Sequence, residues 1–481
     1  MDLLQIKDGM IVAQDDRPVY LRGVNIGGWM NMEHFLTGHP GSESNLRHVM
    51  RQKLGQEKAA FFFDRFLHHF FNEQDVIFLK DIGVTTIRLP INYRHFESDL
   101  APLEYLETGF ERLEQVMKWC EKHDIYIILD LHSVQGWQNG DWHCDNSSRH
   151  ALFWFQKGSQ DRFVALWQEF ASRYRDKAVI AAYNIMNEPL SNAPYGRFAP
   201  DNKYLPDWDN MNRIYRRTVD AIREVDPNHI IMLEGDYYSM LFEGLDAPFD
   251  QNLMYSNHNY IEPAVSSITS YPVTLGDTHW DKQYIQKQFA ETEGFMFAQN
   301  HNVPLLIGEF GLNMDYPADN VCCKVQVFND QMQTYNIMGC HWTFWSYKAL
   351  GSMGWIQTHP ESLYMQTVAP VLHAKDKLNV DFGWLGGFQP AVQQHMEALN
   401  ALIGAHLPGV DPEANFRYFS QAAMSTYTAD QLQNVYVQQF VDKSEAEIDD
   451  ILSSFELCNC IERDEMSDAI RSATIGYQQH N

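Results

Sequence analysis

Short apolar segments alternate along this chain with longer amphipathic segments, and this alternation limits the folds open to it. The apolar segments lack the polar–apolar alternation of a strand with one wet face, so they are typical of parallel strands buried on both faces. Strand–helix repeats favour a parallel sheet covered by helices, and eight repeats favour a closed (β/α)₈ TIM barrel. The predicted strands are Tyr20–Asn25, Thr86–Pro90, Tyr126–His132, Val179–Glu188, His229–Glu234, Leu253–His258, Leu305–Glu309 and Cys340–Tyr347.

The segments between these strands have helical periodicity. In Phe110–His123, residues Phe110, Leu113, Val116, Met117 and Cys120 share one face. A doubly wound open sheet is the competing architecture. It usually carries a glycine-rich phosphate loop after its first strand, and no segment here matches one. The other helices predicted by the same pattern are Arg162–Tyr174, Met211–Val225, Asp281–Asn300 and Val325–Asn336.

Several segments lie outside the eight repeats. Asp8-Gly9 is a turn dipeptide between Leu4–Ile6 and Met10–Ala13, which predicts an N-terminal hairpin that closes the barrel floor. Two long insertions, Trp29–Phe70 and Ala349–Gly387, are expected to shape the rim of a site. The second carries Met353, Trp355, Tyr364, Met365 and Trp384.

The chain is predicted to divide into a catalytic barrel, residues 1–408, and a helical C-terminal extension, residues 409–481. Gln389–Leu407 is predicted as the closing helix of the barrel. Within the extension, Ala429–Phe440 and Ser444–Phe455 are amphipathic. The sequence leaves open whether the extension is a lid, a dimer element or a strap on the barrel wall.

The charge and the ends of the chain limit its partners. The net charge of −27, from 36 Lys and Arg against 63 Asp and Glu, argues against nucleic acid or an anionic membrane. No apolar run of about 18 residues predicts a transmembrane helix. The first residues show no secretory signal pattern, so we expect a cytoplasmic enzyme. The seven cysteines show no CxxC pair, and we expect no metal and no cofactor; a homo-oligomer is left open.

Two glutamates follow predicted buried strands at their carboxyl ends. Glu188 lies in Tyr183–Pro189, and Glu309 lies in Pro304–Gly311. A carboxylate at this position has no packing role, and this end of a (β/α)₈ barrel is where its chemistry occurs. Two such carboxylates predict an acid and a nucleophile that converge on one glycosidic bond.

Six motifs in chain order resemble those of glycoside hydrolase family 5, a family of clan A retaining β-glycosidases. Each lies at a predicted strand end, and the resemblance covers roughly Arg22 to Tyr347. The motifs are Arg88-Leu89-Pro90, Asp130-Leu131-His132, Asn187-Glu188-Pro189, His258-Asn259-Tyr260, Gly308-Glu309-Phe310-Gly311 and Thr343-Phe344-Trp345-Ser346.

The resemblance implies a (β/α)₈ barrel and two catalytic residues. Glu188 would be the acid/base, with a pKa raised enough to hold a proton near neutral pH. Glu309 would be the nucleophile, ionised and about 5–5.5 Å from the acid/base, as retention requires.

The resemblance also implies substrate-binding and supporting residues. Arg88 would hold Glu309 as an anion, and Tyr260 would donate a hydrogen bond to it. Asn187 would bind the sugar 2-hydroxyl, and Trp345 would form the platform under the reacting ring. His132 and His258 would bind hydroxyls and tune the acid/base.

A second resemblance indicates a subgroup within glycoside hydrolase family 5. Arg22–Glu33 is similar to the first-strand region of exo-acting β-1,3-glucanases of the family, where the matching glutamate, here Glu33, grips the terminal sugar. The loop with Gln138-Asn139-Gly140 is also similar, and it adds Asn139, Trp142 and His143 as pocket residues. The segment Trp29–Glu33 is closer to an intracellular subgroup that includes β-mannosidases.

The sequence therefore predicts a retaining exo-β-glycosidase that removes a terminal β-linked hexose from a small oligosaccharide. We favour mannose, for instance from a mannosyl-β-1,4-N-acetylglucosamine core. The alternatives are an exo-β-1,3-glucanase or β-glucosidase, an endo-acting cellulase or glycosylceramide hydrolase, and a sugar-binding protein without catalysis. No motif distinguishes mannose from glucose.

Overall fold

The structure is a computed structural model of the 481-residue chain. It describes residues 1–192, 204–314, 321–378, 380, 390–407, 409 and 411–478. Trp384 of the second insertion and Gln389, the first residue of the predicted closing helix, lie outside the described residues.

Eight parallel strands close into a barrel, as predicted. Each strand pairs with the next in chain order, and the last pairs with the first through Trp342 and Arg22. The barrel strands are Arg22–Asn25, Thr86–Asn92, Tyr126–Ser133, Ile180–Asn184, Ile230–Glu234, Leu253–His258, Leu305–Glu309 and His341–Phe344.

The predicted N-terminal hairpin is present and lies below the barrel. Strands Gln5–Lys7 and Met10–Val12 pair antiparallel, and Asp8 and Gly9 between them have φ of 50° and 78°. Leu4 and Ile11 are buried in one apolar cluster with side chains of the barrel strands, including Ile128, Met232, Met254 and Leu306. The hairpin therefore closes the floor of the barrel, and the opposite end is left for a site.

The helices agree with the predicted pattern in most segments. Phe110–His123 matches the helix Glu107–Lys122, for which His123 is the C-terminal cap. Asp281–Asn300, in contrast, forms two helices, Lys282–Ala290 and Glu293–His301. The other α-helices are His34–Thr37, Glu43–Leu54, Gln56–Phe70, Glu73–Ile82, Lys157–Tyr174, Trp208–Arg223, Asp236–Ser239, Glu262–Val265, Val321–Ile337, Leu363–Leu378, Pro390–Gly404, Pro412–Ser420, Ala429–Gln438, Glu445–Leu452 and Asp464–Gln478, with a π-helical segment at Gln421–Thr428.

Short strands lie outside the barrel. Lys348–Ala349, Ile356–Thr358 and Cys460–Glu462 form one sheet, so a C-terminal strand pairs with a segment that follows the last barrel strand. The remaining strands form two small pairs, Glu97–Ser98 with Ala101–Tyr105 and Val273–Leu275 with Thr278–Trp280.

The predicted fourth strand is too long. It ends at Asn184 rather than Glu188, because Glu188 adopts a left-handed backbone with φ of 46° and the chain leaves the sheet before it. A non-glycine residue in this region is unfavourable and is found most often at functional sites. The eighth strand also ends early, at Phe344.

The C-terminal helices share the apolar core of the first insertion. The Phe62 ring lies 5.0 Å from that of Phe440, and the Phe66 ring lies 5.5 Å from that of Phe455. Lys348, after the last barrel strand, donates from Nζ to the Phe455 carbonyl at 2.8 Å and to Asp75 at 2.9 Å. The division at residues 408 and 409 stays a prediction. In the described part of the chain, no helix has both the length and the apolarity needed to cross a bilayer.

Candidate active site

The carboxyl ends of the barrel strands bring a set of polar side chains into one buried cluster. Arg88 comes from the second strand, His132 from the third, His258 from the sixth and Glu309 from the seventh. Asn187 and Glu188 follow the fourth strand, and Trp345 follows the eighth. These strand ends meet because all eight strands are parallel in a closed barrel.

Glu309 is held by a permanent cation and a phenol. Arg88 Nη1 donates to Glu309 Oε1 at 3.0 Å, and the Tyr260 hydroxyl donates to Oε2 at 3.0 Å. Arg88 is completely buried and also pairs with Asp130 and Glu234, each at 3.1 Å. Burial opposes the charge of Arg88, but the three carboxylates outweigh it and raise its pKa. Arg88 therefore stays charged beside the carboxylate group of Glu309.

Glu188 is held instead by two histidines. His258 Nδ1 lies 2.7 Å from Glu188 Oε1, and His143 Nε2 lies 3.1 Å from Oε2. Burial opposes ionisation of Glu188, but the hydrogen bonds from both histidines outweigh it and hold its pKa well below the usual range. Burial also opposes the charge of the histidines, but the surrounding carboxylates raise the pKa of each to about 9.

The expectation of a raised pKa for Glu188 is therefore wrong, because the hydrogen bonds from the two imidazoles hold its pKa low. The proton near neutral pH lies on the imidazoles, one hydrogen bond away from the carboxylate. The sequence expectation named His132 and His258 as the groups that tune the acid/base and did not include His143 as a partner of Glu188.

The two glutamates lie close together. One carboxylate oxygen of Glu188, one of Glu309 and a ring nitrogen of His258 all lie within 4.8 Å of one another. This is the short separation at which one carboxylate can attack a sugar carbon while the other protonates the leaving oxygen. The three groups are also of types that bind metal ions, but both oxygens of Glu309 already accept hydrogen bonds from Arg88 and Tyr260.

Two further carboxylates complete the cluster, and the sequence analysis did not select them. Glu234 Oε2 accepts the backbone N–H of Glu188 at 2.8 Å, which fixes the left-handed turn that presents the acid/base. Asp130 Oδ2 lies 2.8 Å from His132 Nδ1. Each lies at or near the carboxyl end of a predicted strand, so the signal that selected Glu309 could have found them too.

His132, Asn187 and Trp345 form the side of the pocket next to Glu309. Arg88 Nη2 donates to Asn187 Oδ1 at 2.7 Å, and Asn187 Nδ2 lies 3.3 Å from His132 Nε2. The His132 and Trp345 rings stack at 5.5 Å with an angle of 16°. Burial lowers the pKa of His132 to about 3, so this ring is neutral.

Glu33 lies next to His132 in the same buried cluster. Its Oε1 is 3.7 Å from His132 Nε2, and the side chain is buried. Burial raises the pKa of Glu33 to about 8, with the charges of Glu309 and Glu188 adding to the effect. The carboxyl is therefore largely neutral near pH 7, so it can both donate and accept hydrogen bonds.

The predicted loop residues also reach the cluster. Asn139 Nδ2 donates to the Glu188 carbonyl at 2.9 Å and lies 2.9 Å from His143 Nε2. The Trp142 ring lies 6.2 Å from that of His143 and 4.9 Å from that of His34. Hydrogen bonds, ion pairs or ring contacts therefore link every predicted site residue into one constellation. Their contacts with sugar stay predictions.

Comparisons with known proteins agree with this geometry. Residues 55–351 match the family model described as cellulase, glycosyl hydrolase family 5. A protein of Phanerodontia chrysosporium named beta-xylosidase is 34% identical over 96% of each chain. A probable glucan 1,3-beta-glucosidase A of Emericella nidulans is 27% identical over 50% of this chain and 57% of its own length. A solved structure described as a glycoside hydrolase shares the fold with a TM-score of 0.50 and 20% identity, over 70% of this chain and 91% of that one.

The barrel, the paired carboxylates at its open end and these matches define a glycoside hydrolase. The match extends over more than half of the chain, and the similarity to the beta-xylosidase extends over nearly all of it. The chain belongs to glycoside hydrolase family 5.

Proposed function

We propose that this enzyme is a retaining, exo-acting β-glycosidase that removes one sugar from the non-reducing end of a small oligosaccharide. The observation that carries the proposal is the spacing of Glu188 and Glu309, since one carboxylate oxygen of each lies within 4.8 Å of the other. An inverting enzyme needs room for a water between its carboxylates, with a separation of about 6.5–9.5 Å, whereas retention needs about 5–5.5 Å.

The first step forms a covalent glycosyl-enzyme. An oxygen of Glu309 attacks the anomeric carbon, the bond to the leaving oxygen breaks, and Glu188 gives that oxygen a proton. Because the two histidines hold the pKa of Glu188 low, we propose that Glu188 first receives this proton from His143 or His258, whose nitrogens lie 3.1 and 2.7 Å from its oxygens.

The second step releases the sugar. Glu188, again an anion, takes a proton from water, and the water oxygen attacks the anomeric carbon as the bond to Glu309 breaks. Arg88 and Tyr260 stabilise the departing carboxylate of Glu309 through the hydrogen bonds that they already make.

Glu33 supports exo action. It is buried next to His132, and we propose that it closes the pocket on the non-reducing side, where a longer chain would have to pass. Neutral Glu33 can exchange hydrogen bonds with the outer hydroxyls of one terminal sugar. Glu33→Ala should weaken transition-state binding of that sugar by more than about 1 kcal/mol, or roughly fivefold or more in kcat/KM. An unchanged kcat/KM would count against the exo assignment.

The terminal sugar has two candidates. β-Mannose is the sugar predicted from the Trp29–Glu33 segment. β-Xylose is favoured by the beta-xylosidase relative, which is similar over 96% of both chains. We propose small oligosaccharides as the substrates and the cytoplasm as the site of action.

A panel of p-nitrophenyl β-glycosides with the purified enzyme tests the proposal. Mannoside, xyloside and glucoside should differ strongly in kcat/KM, and NMR of the first product should show the β anomer. A first product in the α configuration would exclude retention. Activity confined to long polymers, with no release of single sugars, would favour the endo-acting alternative.

An endo-acting glycosylceramide hydrolase remains the named rival. An apolar rim formed by the insertion after the last barrel strand would support this alternative. However, Trp355 and Tyr364 of this insertion are buried against the barrel and the C-terminal helices. They do not form an apolar rim in the described residues. Detergent-dependent turnover of a glycosylceramide would favour the rival.

A further inference from the structure

A loop that begins at Glu33, beside His132, is held in place by the chain after the barrel. We name residues Glu33–Ser42 the end-wall loop; it begins with Glu33 and contains the short helix His34–Thr37. We infer that the helices Leu363–Leu378 and Ala429–Gln438 set exo cleavage by fixing this loop across the far side of the pocket. The inference rests on the proposed exo function.

The helix Leu363–Leu378 binds the first half of the end-wall loop. Lys375 Nζ donates to the carbonyls of His34 at 2.8 Å, Gly38 at 3.2 Å and His39 at 3.3 Å. The Tyr364 hydroxyl donates to the Thr37 carbonyl at 2.6 Å. Four carbonyls of the loop therefore accept hydrogen bonds from side chains of this one helix.

The helix Ala429–Gln438 binds the second half. Gln433 Nε2 donates to the carbonyls of Pro40 and Ser42, each at 2.9 Å. A Cβ on Gly41 would lie 2.2 Å from Asp430 Oδ1, so the loop approaches this helix as closely as a backbone without a side chain allows. Lys375 and Gln433 are both buried.

These donors decide the path of the loop. An irregular segment cannot satisfy its own backbone carbonyls, and a buried carbonyl without a donor is costly. In the end-wall loop, the carbonyls of Thr37, Gly38, His39 and Pro40 accept hydrogen bonds from side chains more than 300 residues later in the chain. The carbonyls of His34 and Ser42 accept such a bond in addition to a local backbone N–H. The loop, and Glu33 at its start, therefore depends on the two helices for its position.

The C-terminal chain also reaches the opposite wall. Arg149 Nη2 donates to Gln421 Oε1 at 2.7 Å and to Asp141 Oδ1 at 3.2 Å. Asp141 precedes the turn that carries Trp142 and His143, and the Trp142 ring packs on His34 of the end-wall loop. The same C-terminal segment thus joins the two loops that border the sugar pocket.

In this inference the barrel and the later helices have separate roles. The barrel supplies the cleaving groups, which by themselves would serve internal and terminal bonds alike. The end-wall loop blocks the non-reducing side, and its anchors lie in the later helices. Loosening the anchors should open the pocket toward an endo-acting cleft while leaving Glu188 and Glu309 in place.

The test uses the full chain with Lys375→Met, Gln433→Ala and the double variant. The substrates are β-linked oligosaccharides of two to five units, labelled at the reducing end, of the sugar that the glycoside panel selects. The parent enzyme should release only single sugars. The double variant should also release disaccharides from internal bonds, and its KM for the p-nitrophenyl glycoside should rise roughly tenfold with kcat within about twofold.

Ser444→Ala is the matched control. Ser444 caps the helix Glu445–Leu452, which packs on both Gln56–Phe70 and Leu363–Leu378. Its exposed hydroxyl bonds Glu447 within its own helix, so Ser444→Ala leaves the Lys375 and Gln433 hydrogen bonds to the end-wall loop in place. The control should lower the melting temperature with no change in the product pattern or KM. Thermal unfolding of every variant separates loss of folded protein from a change in cleavage.

The outcomes separate this inference from the proposed function. Disaccharide release by the parent enzyme would overturn the exo function itself. A parent that releases single sugars, with anchor variants that keep the same products and KM, would overturn the role of the helices. If the double variant does not fold, Gln433→Ala alone decides, because it removes the two hydrogen bonds to Pro40 and Ser42 and one long bond to Asp430, and it leaves the Lys375 bonds in place.

Discussion

The two sides of the active site hold their glutamates by different means. Arg88, a cation at every physiological pH, bonds Glu309, whereas His143 and His258, which can lose their charge, bond Glu188. A nucleophile must remain an anion, and an acid/base must gain and lose a proton in each cycle. The difference between a fixed and a titratable partner assigns the two roles without reference to any relative.

Removing Glu309 should produce the largest effect. Glu309→Ala deletes the group that forms the covalent intermediate, and loss of a nucleophile costs on the order of 10⁶-fold in kcat. Added azide should restore part of the rate by occupying the vacated space and attacking the anomeric carbon directly, which gives the α-glycosyl azide. NMR of the azide product provides the measurement.

Glu291→Ala, a change at an exposed helix end, is the control for handling and folding and should keep full activity. Near-normal hydrolysis by Glu309→Ala, or a β-glycosyl azide from it, would remove Glu309 from the nucleophile role.

Removing Glu188 should have a smaller effect that depends on the leaving group. General acid–base catalysis contributes about 10²–10⁴-fold, and a good leaving group needs little protonation. Glu188→Ala should therefore lose far more activity toward a disaccharide than toward a 2,4-dinitrophenyl glycoside. Azide should now yield the β-glycosyl azide, because it attacks the intermediate on Glu309.

Equal losses of activity on the disaccharide and on the 2,4-dinitrophenyl glycoside would show that Glu188 acts on binding rather than on proton transfer. The two variants are controls for each other, since azide must give the β-glycosyl azide with Glu188→Ala and the α-glycosyl azide with Glu309→Ala.

His143→Gln tests whether a titratable partner matters to Glu188. Glutamine can still donate a hydrogen bond but carries no proton to give, and a hydrogen bond to a charged group contributes about 1.5–3 kcal/mol, or roughly 10–100-fold. Since the pKa of His143 is raised to about 9, the parent rate should fall as pH rises through 9. The variant should be slower at neutral pH, with a changed alkaline limb in its pH–rate profile.

The same substitution has a signature in stability. The folded pKa of His143 lies above the unfolded value of 6.5, so its stabilising effect is complete below pH 6.5 and is lost as pH rises through 9. The gap in unfolding free energy between parent and variant should close over that range. His123→Gln, which removes a contact with Glu73 outside the barrel, is the control. A gap that does not change with pH would contradict the ion pair with Glu188.

Glu33 should show the smallest effect, because it lacks a close cationic partner. Its pKa is raised from 4.5 to about 8 by burial, so ionisation opposes folding. Between pH 4.5 and 8 the folded state therefore binds more protons than the unfolded state, and the free energy of unfolding falls as pH rises. Glu33→Gln should flatten this fall, with melting temperatures closest to the parent near pH 5 and furthest above it near pH 8.

Parallel melting curves that keep one offset from pH 5 to 8 would show that Glu33 is ionised in the folded protein throughout. Glu43→Gln provides a contrast of opposite sign, since Arg47 and His95 outweigh burial and lower the pKa of Glu43.

Much of the fold could be predicted because its signals are local. Each barrel strand is a short apolar run, and residues such as Phe110 and Leu113 mark one helix face within a few turns. Glu309 could be found because a carboxylate at the end of a buried strand has no packing role. Glu234 carries the same signal, but its task, to accept the backbone N–H of Glu188, depends on a contact across 46 residues.

Other features could not be predicted because they depend on distant partners. The pKa of Glu188 is lowered by His143 and His258, and no local pattern shows that both rings point to one carboxylate. The left-handed backbone at Glu188 could not be predicted either, because the residue in this conformation is not a glycine. Likewise, nothing near Lys375 indicates that its ammonium group binds three carbonyls of a loop more than 300 residues earlier.

The sequence by itself determined the barrel, the floor hairpin and the pair of glutamates, because periodicity and strand-end polarity are properties of neighbouring residues. The tertiary structure alone decided which groups share a proton and how the far end of the pocket is closed. Both depend on distances and burial between residues that are far apart in the chain. Electrostatic interaction and hydrogen bonding fall off over a few ångströms, so only the folded positions of the atoms fix them.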